Sequence, residues 1–243
     1  VSQAADLKRF ERWFAHAPLA RAYAWLTSVP GSLVSNTPAY KLHEELQLRP
    51  DNRVLDLGTG RGSLLKLLTS QIAFEKPPVG VDGSSSLLRL DAATSAERVQ
   101  ADIVALPFAD ASFDVVTCPY VTHRLDDEHF LALLREIRRV LTHGGIAVLW
   151  DFAPTRSATL NVWNQRVLAA IPGPVNLRNY TTLSAYALEA GFEWVNNAHL
   201  RPFLAPPIPR VSLILGKAPV GWTTDVTAVN GAIKEMHPEP HAH

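Results

Sequence analysis

The stretch Val54-Leu55-Asp56-Leu57-Gly58-Thr59-Gly60-Arg61-Gly62 limits what this chain can fold into more than any other part of it. Four residues of buried-strand character run into a turn with glycine at every second position. Ser63-Leu64-Leu65-Lys66-Leu67-Leu68 then opens a helix. A strand, a glycine turn and a helix in that order bring backbone N–H groups and a helix N-terminus up to a bound ligand. A Cβ in the turn would forbid its dihedrals or hold the ligand off the backbone. The spacing is G-x-G-x-G, whereas the dinucleotide fingerprint is G-x-G-x-x-G.

Further strands end near polar groups. Val79-Gly80-Val81-Asp82-Gly83 closes on an acid, and ligands of open α/β sheets sit beyond the carboxyl ends of the strands. An acid about 20 residues past a glycine turn is placed to accept from both hydroxyls of a ribose. Asp82 could equally cap a helix that starts in Ser84-Ser85-Ser86, and both uses can hold together. Arg98 to Asp102 reads as a third short strand. Phe113 to Cys118 reads as a fourth, leading to Pro119-Tyr120-Val121-Thr122-His123-Arg124. Imidazole titrates near neutral pH, so His123 is a candidate general base. Cys118 reads as a small buried residue, and Asp114 as a structural group orienting the turn into the fourth strand.

Asp126-Asp127-Glu128 start a helix at the end where anionic side chains oppose its dipole favourably. Phe130, Leu133, Leu134, Ile137, Val140 and Leu141 form its apolar face; Arg135, Glu136, Arg138 and Arg139 read as a solvated one. Gly144-Gly145 is expected to cap it, and Ile146 to Phe152 to form a fully buried strand. Helices are expected over 157–170 and from Tyr180 to a stop at Gly191, and strands over Trp194–Leu200 and Val211–Leu215. Prolines 202, 206, 207 and 209 predict an extended, irregular connection between those strands. Residues 4–28 have helical spacing interrupted at Pro18, and a second helix is expected over 37–46 before Pro50-Asp51. The aromatic residues of the first segment either staple it to the main domain or line a lid.

These motifs carry a family resemblance. Asp56, Gly58, Gly60 and Gly62 fill the D/E-x-G-x-G-x-G of motif I in the class I S-adenosylmethionine-dependent methyltransferases. Asp102 … Leu106-Pro107-Phe108 … Ser112-Phe113-Asp114-Val115-Val116 and the R-E-x-x-RVL-x-x-GG-x-x-V-L run within Leu134 to Leu149 look like further motifs of that class. They are most similar to its ubiquinone/menaquinone C-methyltransferase-like branch. The resemblance implies an α/β, Rossmann-like three-layer sandwich with a seven-stranded, mostly parallel sheet of order 3-2-1-4-5-7-6, its last strand antiparallel. It also implies N-terminal lid helices over 1–48, a methyltransferase domain over 49–218 and a disordered tail over 219–243. The implied cofactor is S-adenosylmethionine. Asp56, Gly58, Thr59 and Gly60 would lie at its amino-acid end, Asp82 and Gly83 at the ribose, and Asp102 and Ile103 at the adenine. Pro119 and Tyr120 would face the methionine portion, with His123 as the candidate base. The implied reaction is in-line displacement of the methyl group by a small, hydrophobic or aromatic acceptor, at carbon or oxygen.

Composition narrows the partners. Lys plus Arg and Asp plus Glu number 23 each, so no basic field gathers a phosphate backbone, and nucleic acid is not the expected partner. A single cysteine allows no internal disulfide, and a reducing cytoplasm is expected. No apolar span reaches membrane-crossing length, and the N-terminus lacks the order of a secretory signal. No metal is expected, since His237, His241 and His243 lack a fixed ligand spacing. A homodimer is compatible with the sequence. Two rivals stand beside the transferase: a non-catalytic binding module on the same fold, and an NAD-dependent oxidoreductase, for which the glycine spacing is wrong.

Overall fold

A computed structural model describes residues 3–16, 22–23, 25, 41–90, 96–200 and 208–220. One sheet organises them. Its strands are β1 (Val54–Leu57), β2 (Val79–Asp82), β3 (Glu97–Gln100), β4 (Phe113–Pro119), β5 (Leu141–Phe152), β6 (Trp194–Leu200) and β7 (Arg210–Gly216), in the order β3-β2-β1-β4-β5-β7-β6. The first five run parallel, and β7 is antiparallel to both β5 and β6. The expected order is therefore the observed one. Every residue of β1 is buried, as its central place between β2 and β4 requires.

The helices are α1 (Gln3–His16), α2 (Leu42–Glu45), α3 (Ser63–Gln71), α4 (Ser85–Leu88), α5 (Asp127–Val140), α6 (Ala158–Leu168) and α7 (Tyr180–Glu189). They divide two apolar cores between the faces of the sheet. Phe130, Leu133, Leu134 and Ile137 of α5 join Leu183 and Ala187 of α7 on one face. Leu42 of α2 and Leu64, Leu65 and Leu68 of α3 pack on the other. β5 serves both with a period of two, sending Ala147 and Leu149 to the first and Val148 and Trp150 to the second.

Two expectations about α5 are corrected. Its helix ends at Val140 with Leu141 already extended, so Gly144-Gly145 does not cap it. Gly144 instead takes φ +80 within the first part of β5, where the register against β4 shifts between Phe113 and Val115. Gly145 passes so close to the Asp114 carbonyl that an added Cβ would lie 3.0 Å from it. The second correction concerns the arginines. Arg139 donates to Glu136, Asp110 and the carbonyls of Leu106 and Phe108; Arg138 donates to Glu193 and the Gly191 carbonyl. These loops dock on that face, and their carbonyls need donors that water can no longer provide. Arg135 stays exposed.

Pro18, the prolines at 202, 206 and 207, the start of the helix expected over 37–46 and the histidines of the tail lie outside the described residues. Among the described residues no helix is long and apolar enough to cross a membrane.

Candidate functional site

The glycine turn adopts dihedrals that exclude side chains, with φ of +67, +56 and +80 at Gly58, Gly60 and Gly62. It is tied to the neighbouring strand twice. Thr59 N–H donates to the Val81 carbonyl at 3.0 Å, and Gly60 N–H donates to Asp82 Oδ2 at 2.8 Å. Asp82 Oδ1 accepts from Ser84 N–H at 2.7 Å, so the carboxylate bridges the turn after β1 and the turn after β2. Ser84, not Asp82, is the N-cap of α4. Burial pushes the Asp82 carboxyl up; the two amides pull it back, and the charge of Glu11 adds to the rise.

Asp56 lies beneath the turn, fully buried, with Oδ1 accepting from Thr117 Oγ1 at 2.6 Å. Burial pushes its carboxyl up to about 6, against the opposing hydroxyls of Thr117 and Thr59. The first two glycine faces differ. An added Cβ at Gly60 would meet only Leu87 Cδ1, at 3.9 Å, whereas one at Gly58 would fall inside the Val121 side chain, 3.2 Å from its Cβ. Val121 thus joins the turn to the loop after β4.

Asp102 stands two residues beyond β3, exposed, with Oδ1 accepting from Val104 N–H at 3.1 Å; Ile103 beside it is buried. Asp102 forms no bond to the turn or to Asp82. Gly83 is covered by α1, since a Cβ there would lie 3.2 Å from Leu7 Cδ2. Glu11 Oε1 of the same helix accepts from the Ser84, Ser85 and Ser86 hydroxyls and from Ser86 N–H at 3.2–3.4 Å. Phe10, Trp13 and Phe14 pack around Tyr23, whose phenol is pushed up to about 12 by burial and then by the charge of Asp82. The aromatic N-terminal segment therefore sits on the rim of the β2 tip.

The tip of β4 forms the other half. Pro119 pairs with Trp150 in the sheet, and Tyr120 follows with φ +57, its N–H donating to the Trp150 carbonyl at 2.6 Å. The Tyr120 hydroxyl accepts from buried Arg210 at 2.8 Å, and its ring lies 5.2 Å from that of Phe152. His123 is 4% exposed and sits at the centre of a short 3-10 turn, Thr122–Arg124. Its Nδ1 lies 2.7 Å from Asp151 Oδ1, and its ring meets Phe152 edge to face at 5.3 Å. Burial alone would raise the Asp151 carboxyl, yet His123, Thr122 and the Phe152 amide hold it below the usual carboxylate range.

A second set of residues fixes this turn from outside. Arg178, nearly buried, donates to the carbonyls of Thr122 and Leu125, pairs with Asp127 and stacks 4.5 Å over the Phe130 ring. Asn176 donates its N–H to the His123 carbonyl at 2.7 Å. Arg124 turns away, donating to the carbonyls of Leu168 and Ile171 at the end of α6. Sequence reasoning missed Asp151 and Arg178. An acid within the apolar run 146–152, at the tip of the strand next to β4, was the available signal for Asp151; Arg178 offered none. Cys118 is buried, and its thiol is pushed up by burial, as a small core residue should be.

A family model described as "Methyltransferase domain" matches residues 55–149. The chain is 31% identical to a demethylmenaquinone methyltransferase of Mycolicibacterium vanbaalenii over 65% of this chain and 68% of that one. It is 35% identical to a ubiquinone/menaquinone biosynthesis C-methyltransferase of Xanthomonas oryzae, over 44% of this chain and 45% of that one. The crystal structure of the YcgJ protein from Bacillus superimposes with a TM-score of 0.58 at 18% identity, covering 75% of this chain and 99% of that one, and shows the shared fold.

Proposed function

Since the chain belongs to the class I S-adenosylmethionine-dependent methyltransferases, we propose that it methylates a small hydrophobic or aromatic molecule at carbon or oxygen. When bound, S-adenosylmethionine supplies an electrophilic sulfonium methyl group. The residues present fit it. The open flank of Gly60 lets a ligand come up against the backbone of the turn. Asp82, fixed by two amides, keeps further lone pairs for the ribose hydroxyls. Oδ2 of Asp102 carries no hydrogen bond among the described residues; it suits the adenine amine, with Ile103 beside the ring. Asp56, Thr59 and Gly58 would border the amino-acid end, and Pro119 and Tyr120 the reacting centre.

One observation supports this choice of acceptor above the others. The rings of Tyr120, Phe152 and His123 cluster at the β4 and β5 tips, the next tips along from the Gly60–Asp82 bond. A planar apolar acceptor would be held there by stacking and desolvation. The demethylmenaquinone methyltransferase relative points to the same chemistry.

Incubation with methyl-labelled S-adenosylmethionine and a panel of acceptors tests this. The panel holds alkyl-substituted phenols and hydroquinones, primary and tertiary amines, and nucleic acid. Label should enter the phenols or hydroquinones, with positioning in the site accounting for much of the acceleration. Label confined to amines or nucleic acid would refute it.

A further inference from the structure

We propose that Asp151 is the positioning residue of this site, locking His123 in the one tautomer that leaves Nε2 free to take a proton from the acceptor. The inference rests on the acceptor-methylating function proposed above and assigns a task to a residue at the tip of β5.

The Asp151 carboxylate receives four donors. Thr122 Oγ1 and His123 N–H donate to Oδ2; Phe152 N–H, at 2.7 Å, donates to Oδ1, which lies 2.7 Å from His123 Nδ1. All three other partners are donors, and an ionised carboxylate only accepts. The hydrogen of neutral His123 therefore sits on Nδ1. Nε2 is left as a lone pair and has no hydrogen bond among the described residues. A histidine used only for packing would not need its ring fixed through one nitrogen and its main chain fixed through both N–H and C=O. The arrangement holds the imidazole rigid at the junction of the β4 and β5 tips, with Val121 of the same loop packed on Gly58.

The step balances as follows. The acceptor's oxygen or ring carbon takes the methyl group, the S–C electron pair remains on sulfur, and the acceptor proton moves to Nε2. The imidazolium charge is met by Asp151, and the proton then leaves to water. Such a base serves an acceptor with a removable proton, a phenol or hydroquinone hydroxyl or an adjacent ring C–H. A tertiary amine has no proton to give.

Two measurements decide it. In the wild-type protein, 15N NMR of labelled histidine, with His123 assigned from a His123→Gln spectrum, should show the hydrogen on Nδ1 in the neutral form. A hydrogen on Nε2 overturns the proposal. This readout needs neither an acceptor nor turnover, so it stands even if the proposed acceptor class is wrong. Asp151→Asn, which sets an amide among four donors, should lower kcat by about a hundredfold or more while S-adenosylhomocysteine affinity stays within about twofold. Wild-type kcat in the folded variant overturns the proposal. If that variant does not fold, the tautomer alone decides.

Discussion

Gly58→Ala should destabilise the protein by roughly 2–5 kcal/mol, from about 1–2 kcal/mol for a side chain in the left-handed region and about 1–3 kcal/mol for overpacking. Both causes are visible in the turn. Gly58 has φ +67, and its missing Cβ would enter the Val121 side chain. Val121 cannot simply rotate away, because its other methyl already lies 3.4 Å from the same point. A β-branched residue has few alternative rotamers. Chemical denaturation of Gly58→Ala, Val121→Ala and the double variant separates the two parts. The double variant should recover the overpacking share and keep the backbone share. Equal stability of Gly58→Ala and wild type would show that the turn does not need its glycine. Because Val121 directly precedes the turn that carries His123, any shift it makes should also reach the acceptor side.

Asp56→Asn should change how stability depends on pH. The carboxyl is held at about 6 in the folded chain against 3.8 for an ordinary aspartate. Between those values the native state binds more protons than the unfolded state, so stability falls as pH rises. The extra stability is complete below the unfolded value and is lost as pH rises through about 6. A shift of about two pKa units corresponds to roughly 3 kcal/mol. Asparagine keeps an acceptor for Thr117 and offers Thr59 a donor, without a charge to bury. It should therefore be more stable than wild type by up to about 3 kcal/mol at pH 7, the gain vanishing near pH 4. Asp82 is raised as well and retains part of the slope. Asp151 has the opposite sign: its carboxyl is lowered, so its contribution is present above the ordinary aspartate value and is lost only as pH falls further. Parallel stability curves for Asp56→Asn and wild type would contradict the assignment of that burden to Asp56.

What could be read from sequence follows the range of each interaction. The strands and the glycine turn are local: an apolar run, a turn residue and a helix start lie within ten positions of one another, whereas the sheet order came only with the family resemblance. The Gly60–Asp82 link was not legible: the sequence offered Asp82 as a ribose acceptor or a helix cap, and the bond to the turn spans 22 positions. Other features were hidden by contacts across sequence. Arg138 and Arg139 looked solvated because the loops they bind, near 108 and 191, are invisible in the helical pattern. Gly144-Gly145 looked like a helix stop until the close approach of the Asp114 carbonyl explained the second glycine. Asp151 meets His123 across 28 positions, and Arg178 reaches Thr122 across 56. Such pairings are set by which strand tips become neighbours, so a carboxylate inside a buried strand shows its purpose only after folding.

Calorimetric titration with S-adenosylhomocysteine tests the central claim most directly, namely that the tips of β1 and β2 hold one ligand between them. The wild-type protein should bind saturably at one site, and Asp82→Ala should bind about 1–3 kcal/mol more weakly, having lost a charged acceptor for the ribose hydroxyls. An unchanged dissociation constant in a folded Asp82→Ala protein would contradict it.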